Sequence, residues 1–186
     1  MMIEIKEFPV LETDRLRLRQ IMNQDAPSLM EYLADEDVMQ YYGLEPFQTI
    51  QDALDEIRWY QSLVEEKSGI RWGITLKEEN RVIGSIGFHR YVPRHHRVEI
   101  GFEISKAYWG QGIASEALHT VLAYGSDHFP IHRIEALIEP ENAASQKLVE
   151  KHGFVREGLL RGYEFTGGKY DDLYMYSLLK NDDGGK

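Results

Sequence analysis

The sequence predicts one α/β (α+β) domain, with about seven strands in a mixed, mostly antiparallel sheet and helices flanking it. Three observations predict this. Between residues 70 and 104 apolar and polar side chains alternate with the two-residue period of half-buried strands. After residue 112 that pattern gives way to strand–helix alternation, which calls for a crossover connection. The chain has 186 residues, 42% hydrophobic and 28% charged, enough for one proper core with ordinary globular composition.

The first strand is expected at 13–21, where Leu16 and Leu18 alternate with Arg15, Arg17 and Arg19. A helical region follows at 25–42, broken near Ala34 and Asp35, and Gly43-Leu44-Glu45-Pro46 marks a turn. A longer helix is expected at 50–66, with Ala53, Leu54, Ile57, Tyr60, Leu63 and Val64 along one stripe. Strands at 70–76 and 81–91 form a meander joined by a turn at 77–80. In the strand at 97–104, Val98, Ile100, Phe102 and Ile104 face one way and Glu99, Gly101 and Glu103 the other. A helix at 113–126, a strand at 132–138, a helix at 142–152 and strands at 154–160 and 173–179 complete the set. Gly153 takes the residue position just past a helix end. The core is expected over about 11–179, and the Asp182-Asp183-Gly184-Gly185-Lys186 tail is expected to fray.

Composition excludes several chemistries. With no cysteine there is no disulfide, thiolate nucleophile or thiolate zinc site. No apolar run approaches the ~20 residues of a membrane span. Residues 1–6 carry no signal-peptide core, so a cytoplasmic location is expected. The formal net charge of −10 argues against nucleic acid and anionic membranes as partners and favours a basic one. His89, His95 and His96 form no ligand set at useful spacing; they read as solvated turn histidines, and no metal is expected.

The richest local signal is Tyr108-Trp109-Gly110-Gln111-Gly112-Ile113-Ala114, which joins a strand to a helix. Gly110 and Gly112 permit a tight turn and close approach of a ligand to the backbone. The helix that follows begins with unpaired N–H groups and the positive end of its dipole, which together suit an anion such as a pyrophosphate. Ser115 adds a hydroxyl, and Ala114 keeps the approach open. A Walker loop is excluded because no Gly-Lys-Ser/Thr closes the turn, and a dinucleotide fingerprint because its third glycine is missing. Alone, this turn is equally a plain helix start. A second helix start, at Asn142-Ala143-Ala144-Ser145, has Asn142 as N-cap and Ser145 three residues on.

Jointly these stretches resemble the GNAT superfamily of N-acetyltransferases, within it the branch that acetylates the amino termini of ribosomal proteins. The match is carried by Leu11-Glu12-Thr13-Asp14-Arg15-Leu16-Arg17-Leu18-Arg19, Gly84-Ser85-Ile86-Gly87, Glu99-Ile100-Gly101-Phe102-Glu103-Ile104, the turn with Ser115-Glu116-Ala117, and Asn142-Ala143-Ala144-Ser145-Gln146-Lys147-Leu148-Val149-Glu150-Lys151-His152-Gly153-Phe154. The superfamily usually has Gln or Arg where this sequence has Trp109; the ribosomal-protein branch commonly carries an aromatic there.

The resemblance implies a sheet splayed at its centre and acetyl-CoA as co-substrate. Backbone from Phe102 to Ile104 would pair with the pantetheine arm, and Asn142 would hydrogen-bond it. Amides of Gln111, Gly112, Ile113, Ala114 and Ser115, in the turn opened by Trp109 and Gly110, would hold the pyrophosphate. The thioester would lie between the strands ending at Ile104 and Ile138, its oxyanion met by an N–H near Ile104. Ser145 is the candidate donor to the leaving thiolate. Two carboxylates are candidate bases or substrate anchors. Glu99 lies on the Gly101 face of its strand; Glu164 lies in the loop Arg161-Gly162-Tyr163-Glu164, where the branch has a carboxylate at the amine's entrance. Trp59 and Tyr60 either cover the acceptor or pack the core. The acceptor is a protein N-terminus or, alternatively, a small amine such as a polyamine or an aminoglycoside-like compound. A non-catalytic acyl-CoA-binding module is the rival from another class, and both monomer and homodimer stay open.

Overall fold

The computed structural model describes Ile5 and residues 7–180; the expected tail at 182–186 lies outside them. The chain forms β1 (Leu11–Glu12), β2 (Leu16–Arg19), α1 (Ala26–Leu33), α2 (Glu36–Met39), α3 (Ile50–Glu65), β3 (Ile70–Leu76), β4 (Glu79–Val92) and β5 (Arg97–Ile104). It continues through α4 (Ile113–His128), β6 (Arg133–Ile138), α5 (Ala143–Lys151), β7 (Val155–Thr166) and β8 (Lys169–Leu179). The strands make one sheet in the order β1-β2-β3-β4-β5-β6-β8-β7. Every pairing is antiparallel except β5 with β6.

That parallel pair is short. Arg97 to Glu99 pair with Arg133 to Glu135, after which the strands part. Both run on, to Ile104 and Ile138, so a gap opens in the sheet. Arg97 closes its narrow end, donating to Glu135 at 3.1 Å.

Two apolar clusters sit on the sheet. One joins β-strand side chains such as Trp72 and Phe88 to Ile113, Ala117, Leu118 and Val121 of α4; the other joins Leu29 and Leu33 of α1 to Ala53 and Ile57 of α3. Each fully buried side chain of this size contributes about 1.5–3 kcal/mol. Local chemistry sets the helix starts. Thr49 and Asp52 form a capping box at α3, and Asn142 accepts from the Ser145 amide at 3.1 Å to cap α5.

Among the described residues the sheet has eight strands, one more than the roughly seven expected. The additional one, Leu11–Glu12, folds back on β2 through Thr13, whose hydroxyl accepts from the Leu16 amide at 2.8 Å. Two residues are too few to show a period. The strand expected at 13–21 shortens to Leu16–Arg19, because the turn from Thr13 to Leu16 takes up its start. The last hairpin is longer than expected: its strands extend to Thr166 and from Lys169 around Gly167-Gly168, so Glu164 lies on β7 and not in a loop. Gly158 and Gly162 hid this extension by interrupting the alternation; register shifts fall between Arg156 and Gly158 and between Leu160 and Glu164.

Candidate functional site

Two cavities meet in the gap between β5 and β6. The smaller, about 470 Å³, is lined by Phe102, Ile104, Trp109, Gly110, Gly112, Ile113, Ala114, Ser115, Asn142 and Ser145, among others. The larger, about 810 Å³, is lined by Glu99, Glu164, Trp59, Glu56, Phe102, Asn142 and Ser145 together with neighbouring residues.

The smaller cavity is a groove over the turn before α4. Gly110 and Gly112 both take the left-handed backbone, at φ 72° and 76°, a conformation that costs other residues about 1–2 kcal/mol. Among the described residues, chain neighbours aside, no atom lies within 4 Å of where a Cβ on Gly110 would stand, so the space above the turn is open. The amides of Ile113, Ala114 and Ser115 open α4 and have no acceptor within the helix. The turn is held from outside. Arg15 donates to the Gln111 carbonyl at 3.0 Å and pairs with Glu116 at 2.6 Å, and Thr13 hydrogen-bonds the same carboxylate. Burial acts to raise the Glu116 carboxyl's pKa, but Thr13 and Arg15 outweigh it and hold the group below its ordinary value. The Gln111 side chain turns back to the Ala107 carbonyl at 2.9 Å and does not line the groove. The Ser115 hydroxyl lies 2.9 Å from His152 Nε2 and 3.2 Å from Lys151 Nζ.

One wall of the groove is the free side of β5. Ser105 donates its amide to Ile83 on β4 at 2.8 Å. Strand alternation therefore turns the backbone groups of Phe102 and Ile104 away from β4, toward the gap. The Trp109 indole takes the Ile104 carbonyl at 2.8 Å. Opposite, Asn142 caps α5 through Oδ1, leaving its NH₂ as a donor.

The larger cavity holds the two carboxylates singled out in the sequence, in different states. Glu99 lies 3.5 Å from His89 Nε2 and 3.1 Å from Arg90 Nη1. Burial pushes its carboxyl up, yet His89 and Arg90 prevail and hold it below the ordinary value, which weakens it as a base. Glu164, on β7, packs against Gly43. His89 is not a solvated turn residue: it lies on β4, lines the cavity, and keeps Nδ1 buried with no hydrogen-bond partner. His95 ends a 3-10 turn, and His96 follows it with φ 49°. Trp59 is 39% exposed and lines the cavity, whereas Tyr60 is buried.

Beneath the cavity runs a buried polar cluster that sequence reasoning missed. Arg71 pairs with Glu103, and its Nε donates to the Ser85 hydroxyl at 2.6 Å. Ser85 donates to Glu103 at 2.6 Å, as does Tyr32 at 3.2 Å. The guanidinium lies 5.3 Å from the Tyr60 ring centroid, and Tyr42 donates to Glu56 at 2.7 Å. One signal was available. Glu56 falls on the α3 stripe between Ala53 and Tyr60, where a charge needs a reason. Arg71 and Glu103 had none, because strand register alone brings them together.

This arrangement can seat an anionic nucleotide arm beside a cavity rich in carboxylates. Comparison with known proteins identifies the family. A family model described as an acetyltransferase (GNAT) domain matches residues 15–155. The uncharacterised N-acetyltransferase YoaA of Bacillus subtilis (strain 168) is 43% identical, over 93% of this chain and 98% of its own length. The ribosomal protein uS5-alanine N-acetyltransferase of Escherichia coli (strain K12) is 28% identical, over 92% of this chain and 91% of its own. Among solved structures, a GNAT-family acetyltransferase from Bacillus anthracis superimposes with a TM-score of 0.81 at 31% identity, covering 93% of this chain and 99% of that one.

Proposed function

The chain belongs to the GNAT acetyltransferase family, and from that premise we propose that it acetylates the N-terminal α-amine of a protein, such as a ribosomal protein, by direct attack in a ternary complex. Acetyl-CoA supplies the activated acetyl group. The amides of Ile113, Ala114 and Ser115 receive its pyrophosphate, with Gly110, Gln111 and Gly112 shaping the turn and Trp109 bracing it against Ile104. The edge of Phe102 and Ile104 and the NH₂ of Asn142 hold the pantetheine arm. Ser145 lines both cavities and hydrogen-bonds the departing thiolate. Glu164 receives the incoming ammonium; Glu99, already paired, contributes negative potential.

The observation that carries the α-amine reading is the acceptor cavity: about 810 Å³, lined by carboxylates, and joined to the groove at Ser145. Its carboxylate lining suits the ammonium of a peptide N-terminus and leaves room for the residues that follow. An α-amine, with a pKa of about 7.7–8.0, also needs less help in losing its proton than a lysine at about 10.4. The test is thiol release from acetyl-CoA with three acceptors: a peptide beginning with Ala or Ser, the same peptide blocked at its N-terminus, and spermidine. Release with the free peptide alone supports the reading; release with spermidine alone overturns it in favour of a small amine.

A further inference from the structure

Tyr42 stands where the two cavities meet, a position it shares with Tyr41, Phe102, Asn142 and Ser145. Its hydroxyl donates to Glu56 Oε1 at 2.7 Å and lies 3.2 Å from the Tyr60 hydroxyl. A tyrosine oxygen that has given its proton to a carboxylate keeps lone-pair capacity for another donor. Glu56, 8% exposed on α3, forms part of the acceptor cavity wall. Two neighbouring carboxylates are committed to cations, Glu103 to Arg71 and Glu99 to Arg90. The Glu56 carboxylate instead meets the hydroxyl of a residue that lines both cavities.

We propose that Tyr42 and Glu56 form the route by which the attacking amine loses its proton. The inference rests on the acetyl-transfer reading and adds the proton's destination. As the amine nitrogen bonds to the acetyl carbonyl carbon, the carbon–sulfur bond breaks and its electron pair leaves on sulfur. The N–H proton passes to the Tyr42 oxygen while Tyr42's own proton passes to Glu56. The same hydroxyl then returns a proton to the thiolate. The products are the amide and the free thiol, and both side chains are restored. Tyr42 touches the reacting atoms; Glu56 acts through it.

The surroundings suit these roles. The groups facing Glu56 are Tyr42 from the segment after α2, Tyr60 from its own helix, Arg71 from β3 and Glu103 from β5. Burial pushes the Glu56 carboxyl above its ordinary value; hydrogen bonds from Tyr42 and Tyr60 and the charge of Arg71 oppose this without cancelling it, and Glu103 adds to the rise. A carboxylate of raised proton affinity is a better base near neutral pH. Burial, reinforced by Glu103 and Tyr60, holds the Tyr42 hydroxyl well above the ordinary tyrosine value, so it relays a proton and does not ionise.

The experiment measures thiol release by the parent, Tyr42→Phe and Glu56→Gln with an Ala-initiated peptide as a function of pH, with CoA calorimetry on each. Both variants are expected to lose about 10²–10⁴-fold in kcat while binding CoA as the parent does. Glu56→Gln is further expected to lose the acid limb of kcat/KM, since the carboxylate that must be deprotonated is gone. Should Glu56→Gln not fold, Tyr42→Phe, which removes one oxygen, carries the test. Folded, CoA-binding variants that keep kcat within a few-fold and retain the acid limb overturn the relay alone. A parent that binds CoA yet releases no thiol with any amine overturns the enzyme reading and the relay together.

Discussion

The Glu164 carboxylate is seated against Gly43: a Cβ on that glycine would stand 3.2 Å from Oε1 and 3.3 Å from Oε2. Gly43 also holds φ 81°, where a side chain costs about 1–2 kcal/mol. The turn after α2 therefore sets the position of a carboxylate on a hairpin more than a hundred residues later. If Glu164 receives the amine, that contact is worth about 1.5–3 kcal/mol. Glu164→Gln should raise KM for a peptide acceptor about tenfold or more, and Gly43→Ala should raise it less, in the same direction. CoA affinity should hold in both. Steady-state kinetics with a peptide beginning in Ala read this, and an unchanged KM in Glu164→Gln removes the residue from the amine's path.

Glu99 should behave differently. Arg90 already pairs with it at 3.1 Å, so Glu99→Gln should change peptide KM less than Glu164→Gln does. The two variants, measured side by side with one peptide, distinguish the carboxylates; a larger effect at Glu99 reverses their assignment.

Gly112 lies beneath the proposed pyrophosphate. The one protein atom near its Cβ position is Arg15 Nη2, at 3.6 Å, so Gly112→Ala should still fold, at a backbone cost of about 1–2 kcal/mol. The methyl would strain the turn whose amides face the groove, and CoA affinity should fall about tenfold or more by calorimetry. Full affinity in a folded Gly112→Ala protein would place the nucleotide elsewhere.

Arg71 and Glu103 are each 4% exposed at the side chain. Removing one partner strands a buried charge, a loss of about 3–5 kcal/mol. Arg71→Met should therefore lower the free energy of urea unfolding by about that amount. A loss under about 1 kcal/mol would mean that Ser85 and Tyr32 satisfy Glu103 unaided.

Acid stability should depend in part on Glu157. Hydrogen bonds from Arg133, then Ser177, hold its carboxyl down to about 2 against an ordinary 4.5. A depressed carboxyl stabilises the fold fully above its unfolded value and loses that contribution as pH falls through the folded one. Urea midpoints should thus decline between about pH 5 and about pH 2, and less steeply in Glu157→Gln. Its side chain is 42% exposed, so the change should be small. Identical slopes in parent and variant would show that the ion pair does not form in solution.

Much of this protein is written in short stretches of sequence. Alternation in 70–104 predicted the central strands because side chains on a strand choose a face every second residue. The turn at Gly110 and Gly112 and the cap of α5 were equally legible, since each depends on a few consecutive residues acting on their own backbone. What spanned too few residues, such as β1, or was interrupted by glycine, such as the end of β7, left no period to read.

Sequence by itself determined the α/β character, the glycine turn before α4 and the candidates Ser145, Glu99 and Glu164. Tertiary structure alone decided that Glu99 is paired, that Glu164 rests on Gly43, and that Arg71 finds Glu103 thirty-two residues away. It also decided that Tyr42, which lines both cavities, donates to Glu56. The reason is physical: a period or a cap is a property of neighbours along the chain, whereas the partner of a buried charge is set by strand register and helix packing.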